Sequence, residues 1–120
     1  MNSVIVIGRL TKDPEVRYVA TGKAVCTFTL AVDRPYQNQQ GEHETDFLPV
    51  VLWSKTAELA GNSVRKGQRL CVEGRIQVRT YEDKDGIKRW VTEIIGEHIE
   101  FLEKKINIIT NYNDCEIVPF

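Results

Sequence analysis

Phe47-Leu48-Pro49-Val50-Val51-Leu52-Trp53 runs into Ser54-Lys55-Thr56-Ala57-Glu58-Leu59-Ala60-Gly61-Asn62-Ser63-Val64-Arg65-Lys66-Gly67, and then into Gln68-Arg69-Leu70-Cys71-Val72-Glu73-Gly74-Arg75-Ile76-Gln77-Val78-Arg79-Thr80-Tyr81. The first piece has the period of two that marks a strand: Leu48, Val50 and Leu52 take one parity, Phe47, Val51 and Trp53 the other. Pro49 cannot donate to a ladder, so that position is expected at an edge or a bulge. The middle piece reads as a helix over 54–66. Ser54 or Thr56 is the expected N-cap, and Gly67 stands where a C′ glycine belongs. Its helical-spaced face of Ala57, Ala60, Gly61 and Val64 is small, which suits a helix lying close over the end of a sheet or barrel. The third piece alternates again over a long reach. Leu70, Val72, Gly74, Ile76 and Val78 point one way; Cys71, Glu73, Arg75, Gln77, Arg79 and Tyr81 point the other.

Strand, helix, strand is thus the middle of the chain, and both flanks add strands. Upstream, Val4 to Leu10 is a short apolar run rich in Val and Ile, ended by Lys12-Asp13-Pro14. A turn at Gly22 precedes Val25 to Val32, where Cys26, Phe28, Leu30 and Val32 share a face. Residues 33–45 are polar and turn-rich, a loop or long hairpin tip bearing Tyr36. Downstream, Asp83-Lys84-Asp85-Gly86 is a hairpin signal, followed by a return strand from Trp90 to about Leu102 with a kink at Gly96. The expected architecture is all-β: five strands, one helix between the third and fourth, and a long hairpin joining the fourth and fifth. That order describes the OB-fold, a small Greek-key barrel that binds oligonucleotides or oligosaccharides.

The chain has 120 residues, 42% hydrophobic and 28% charged, enough for one core and typical of a soluble globular protein. No run reaches the ~18 apolar residues of a membrane span. The N-terminus lacks the pattern of a secretory signal, so a cytosolic address and no membrane partner are expected. Cys26, Cys71 and Cys115 form no C-x-x-C pair, and His43 and His98 lie far apart, so neither a disulfide scaffold nor a metal site is expected. The net charge is −1, but it is unevenly distributed. Residues 1–105 hold all 16 bases and 15 of the 17 acids, a +1 body; residues 106–120 hold Asp114 and Glu116, a −2 extension.

Phosphate-loop, nucleophile-elbow and H-E-x-x-H motifs are all missing, and Asp83 with Asp85 reads as a solvated turn. No catalytic residue and no cofactor are therefore assigned. Aromatic and basic side chains on outward parities are the stronger signal. Phe47 and Trp53 share one strand face; Arg75, Arg79 and Tyr81 share another. The opposite faces supply enough aliphatic residues for the core, so these rings are free to stack bases. Arg9, Lys12, Arg17, Lys23, Arg34, Lys55, Lys84, Lys88 and Arg89 flank them and suit phosphate contact. Trp90 reads as core or subunit packing, His98 as a surface or interface histidine, and Cys26 and Cys71 as small strand residues.

Several stretches together resemble the bacterial single-stranded DNA-binding protein family: residues 2–18 and 21–25, Asp46 to Glu58, Val64-Arg65-Lys66-Gly67, Val72 to Tyr81, and Thr92-Glu93-Ile94. The resemblance covers residues 1–104 in order. It implies sequence-independent binding and protection of single-stranded DNA in replication, recombination and repair, by a homotetramer. It places stacking aromatics at Tyr36, Phe47, Trp53 and Tyr81, with Tyr36 and Phe47 standing where the family often has tryptophan. It also implies an acidic tip ending in Ile-Pro-Phe that docks replication and repair proteins. Here Asp114, Glu116, Ile117, Pro119 and Phe120 keep that character, with Val118 inserted. The rival reading is a primosome-type OB-fold adaptor acting mainly through protein contacts.

Overall fold

The structure, a computed structural model, describes residues 1–102. Seven elements follow in order: β1 (Val4–Leu10), β2 (Glu15–Tyr18), β3 (Ala24–Gln37), β4 (His43–Trp53), α1 (Ser54–Ser63), β5 (Arg69–Glu82) and β6 (Lys88–Phe101). The strands are hydrogen-bonded in the order β1-β5-β6-β4-β3-β2, and β1 also pairs with β3 at Arg9↔Ala31 and Leu10↔Leu30. That second pairing closes β1, β5, β6, β4 and β3 into a five-stranded barrel, so the expected OB-fold is the observed one. All pairings are antiparallel except β4 with β6, which run parallel over Val50↔Ile94 to Leu52↔Gly96. The expected helix does lie between the third and fourth barrel strands.

The core is made of the parities read above. Cys26, Phe28 and Leu30 from β3, Val50 and Leu52 from β4, and Leu70 and Val72 from β5 meet Ile94 and Ile99 of β6. Ala57, Ala60 and Val64 close one end from α1 and its C-terminus. Their small side chains let the helix backbone approach β3 and β4 closely. Pro49 pairs with Thr29, one residue before the parallel pairing with β6 begins, so β4 has a register partner on only one side there, as an edge position would. Gly96 is packed so tightly that a Cβ there would collide with Leu52 Cδ2. A β-bulge lies next to it, where Glu73↔His98 and Gly74↔Gly96 differ by one residue.

Several expectations need correction. The barrel carries an extra strand, β2, pairing with β3 over Glu15↔Thr27 to Tyr18↔Ala24. Four residues are too few to show a period. The helix is shorter than expected, and neither Ser54 nor Thr56 caps it: Trp53 occupies the N-cap position without a side-chain hydrogen bond, and Ser54 adopts φ 57. The C-cap is Val64, not the residue before Gly67. Gly67, at φ +84, instead turns the chain into β5 and donates its N–H to Leu10 O at 2.8 Å. Of the two readings of the polar segment 33–45, the long hairpin is the observed one: β3 and β4 pair out to Gln37↔His43 around a short turn at 38–42. Ile76 and Val78 share the core parity but are exposed, because β5 and β6 continue past the barrel as a two-stranded arm. Trp90, on that arm, is exposed too, which removes it from the core.

Candidate nucleic-acid interface

β4 presents two rings on its outward face. Phe47 is 63% exposed and Trp53 42%, whereas the intervening Leu48, Val50 and Leu52 turn inward. At ~3.4 Å rise per residue the two rings stand ~20 Å apart along one strand. Cross-strand neighbours Ala31 and Val25 on β3 lie directly opposite Phe47 and Trp53. They are small or aliphatic and leave the ring faces accessible.

Each ring sits in its own pocket. Trp53 lines one of about 450 Å³ with Arg17 and Tyr18 of β2, Gln77 and Arg79 of β5, and Glu93 of β6. Phe47 lines one of about 470 Å³ with Ile7, Arg9, Asp33, Thr45 and Arg69. Arg9 and Arg69 are register partners across β1 and β5, so two arginines from adjacent strands line the Phe47 pocket. Arg9 is further tethered through Nη1, which donates to Gly67 O at 2.9 Å. Both pockets therefore combine an aromatic face with a planar cation, the pairing that holds a base and its phosphate.

The remaining candidates divide. Arg17 and Arg79 join Trp53. Tyr81 and Arg75 share the outward parity of Arg79 on β5, on either side of it; Arg75 is held by Glu97 at 3.6 Å and Gln77 at 3.0 Å. Arg34 is not brought to this face. Its guanidinium grips Asp46 through Nε at 3.1 Å and Nη2 at 2.9 Å, and Glu44 through Nη1 at 2.9 Å. Asp46 has the parity of Leu48 and Val50, so that cluster braces the inner side of the β3–β4 arm. The guanidinium holds the Asp46 carboxyl below the usual carboxylate range. Tyr36, exposed near the tip of the same arm, interacts with Arg34 rather than standing beside Phe47. Lys88 lies over the Trp90 ring, 5.7 Å from its centroid, on the β5–β6 arm. Lys84 occupies the tip of that arm; Lys12 and Lys55 lie just after β1 and at the start of α1. Among the described residues Lys12, Arg17, Lys55 and Lys84 make no ion pair. The tip residues Asp114 to Phe120 lie outside the described residues.

Tyr18, Gln77 and Glu93 also line the Trp53 pocket and Arg69 the Phe47 pocket, and none of the four is among the site residues expected from the sequence. Tyr18 was hidden by the short β2, and Arg69 by its distance in sequence from Arg9. Rings beside arginines on a barrel face can stack bases and neutralise phosphates. The profile of the Single-strand binding protein family matches residues 1–102. This chain belongs to that family. Curated relatives agree: it is 54% identical over 107 residues to "Single-stranded DNA-binding protein 3" of Listeria innocua, covering 89% of this chain and 67% of the relative. It is 52% identical over 105 residues to "Single-stranded DNA-binding protein" of Bacillus cereus, covering 88% and 62%. It is 53% identical over 104 residues to "Single-stranded DNA-binding protein 2" of Clostridium acetobutylicum, covering 86% and 77%. The chain thus spans well under the full length of these relatives. Among the described residues no helix is long and apolar enough to cross a membrane.

Proposed function

We propose that this chain binds single-stranded DNA without reading its sequence, and holds and protects it during replication, recombination and repair. The observation that carries the proposal is the outward face of β4, where Phe47 and Trp53 each stand in a pocket with arginines. A base can stack on either ring whatever its identity, while guanidinium groups neutralise the adjoining phosphates. The family and the names of the relatives support this reading. The protein acts by binding, not by catalysis, in the cytoplasm on exposed stretches of nucleoid DNA.

Assembly as a homotetramer is part of the same proposal. Ile5, Ile76, Val78 and Trp90 are exposed apolar side chains that association would cover. Light scattering on the purified chain measures the mass. The segment Asp114 to Phe120 is proposed to dock replication and repair proteins through Ile117, Pro119 and Phe120 flanked by acids.

The deciding experiment titrates the protein with oligo-dT and with duplex of equal length at moderate salt, following tryptophan fluorescence. Tight binding to the single strand, weak binding to the duplex and a log-affinity falling linearly with log salt are expected. Equal or absent binding to both would overturn the proposal and favour the protein-contact adaptor. Incubation of labelled single strand with Mg²⁺ is expected to leave it uncut.

A further inference from the structure

Glu93 is the single buried charged residue among the described residues. Its side chain is 5% exposed, while its partner Arg79 is 54% exposed. Arg79 Nε donates to Glu93 Oε1 at 2.9 Å. A half-buried ion pair of this kind is weak evidence for stability, since desolvating the carboxylate offsets much of the attraction. The reason for a carboxylate at this position is better sought in what it holds.

Arg79 carries five N–H donors in a planar fork. One is fixed on Glu93; the four on Nη1 and Nη2 have no protein partner among the described residues. Both residues line the Trp53 pocket. Glu93 lies opposite Gln77 and Arg79 opposite Val91, so the ion pair runs diagonally across the β5–β6 ladder and fixes the guanidinium plane from below. A guanidinium anchored through Nε still offers its two Nη groups together, the geometry that grips phosphate oxygens.

We infer that Glu93 is a positioning residue: it holds Arg79 in the Trp53 pocket as a fixed two-pronged donor for the phosphate next to the stacked base. This rests on the single-strand-binding reading above and adds to it. The pair is neutral as a unit, so Arg79 acts through its fixed donors and adds little long-range charge. That makes the sign of one substitution diagnostic. Glu93→Gln removes one negative charge from the groove, a net change of one unit toward positive. A purely electrostatic groove would then bind DNA more tightly, whereas a loosened Arg79 binds it less tightly.

The test is a cycle of Glu93→Gln, Arg79→Gln and the double variant, each titrated with oligo-dT over a range of KCl, with thermal melts confirming the fold. Glu93→Gln is expected to weaken binding about three- to tenfold. Arg79→Gln should weaken binding by at least as much and lower the salt slope by about one. The double variant should bind no worse than Arg79→Gln alone. Arg79→Lys, which keeps the charge and loses the fork, should weaken binding with the salt slope unchanged. Tighter or unaltered binding by Glu93→Gln would overturn the inference. So would a Glu93→Gln loss that persists in full beside Arg79→Gln, because the carboxylate would then act through the fold. Should Glu93→Gln fail to fold, Arg79→Lys decides, and wild-type affinity in that variant refutes the inference. Wild-type protein that does not bind oligo-dT removes the DNA-binding reading and this one together; wild-type binding without coupling removes only this one.

Discussion

Replacing both rings of β4, Phe47→Ala with Trp53→Ala, isolates stacking from charge. Phe47 is 63% exposed and makes little core packing, and Trp53 is 42% exposed beside Val25 and Val51. Neither belongs to the buried cluster, so the double variant should retain a cooperative melt. The rings stand ~20 Å apart on one strand. Their effects should therefore add, as they do for separated sites with no shared partner. Stacking contributes ~1–3 kcal/mol per base, so losing two platforms removes ~2–6 kcal/mol. At 1.4 kcal/mol per factor of ten, affinity for oligo-dT falls about 30-fold to about 10⁴-fold. Arg9, Arg17 and Arg79 remain in place, so the slope of log-affinity against log salt should hold within about one. Trp53 also reports the titration by quenching, so the variant is measured by anisotropy of labelled oligonucleotide. Unchanged affinity in a folded double variant would show that DNA does not run along this face. An affinity loss carried entirely by the salt slope would show that the rings support charge placement and do not stack.

Three further outcomes follow from the geometry. Gly96→Ala drives a Cβ into Leu52 Cδ2 and within 3.1 Å of Val72 Cγ1, and overpacking of this kind costs ~1–3 kcal/mol, read as a lowered Tm; an unchanged melt would mean the bulge beside Gly96 absorbs the methyl group. Asp46 and Asp83 have carboxyls held below their ordinary value by Arg34 and Arg89, so each stabilises the fold above the unfolded-state value and loses that contribution as pH falls through the folded-state value. Asp46→Asn should flatten the acid limb of stability on the acid side of the ordinary carboxylate range, followed by circular dichroism, and an acid limb identical to wild type would refute the pairing. Burial pushes the Cys26 thiol up to about 11, so thiol reagent at neutral pH should leave Cys26 unmodified in the folded protein and label it on unfolding, as mapped by mass spectrometry; rapid labelling of Cys26 would show an opened core.

Period-two alternation made the barrel legible. In β4 it separated Leu48, Val50 and Leu52 from Phe47 and Trp53 correctly, because one face of a closed barrel is buried along its whole length. The same rule puts Ile76 and Val78 on the side of Leu70 and Val72, yet both are exposed. Alternation tells which side of a strand a residue takes, and it cannot tell where the barrel ends and a free arm begins. Residue type points to Ser54 or Thr56 as the helix cap, yet the chain enters the helix straight from Trp53 with Ser54 at φ 57. Tertiary packing of the helix over the barrel end decided that entry.

Among the candidate cations, residue type alone could not separate those fully engaged by carboxylates from those with donors left open. Arg34 resembles any flanking base in the sequence, but Asp46 and Glu44 engage its Nε, Nη1 and Nη2. Arg79 looked the same, but Glu93 leaves its Nη groups open to the Trp53 pocket. Composition and alternation by themselves determined an all-β barrel with an aromatic face and a nearly neutral charge. Side-chain chemistry and spacing are local, and they survive being read along a line. Which arginine meets a carboxylate and which meets solvent depends on strand register across the barrel, where Arg9 meets Arg69 and Gln77 meets Glu93. Those partners lie 60 and 16 residues apart in the chain, and only closure of the barrel brings them together.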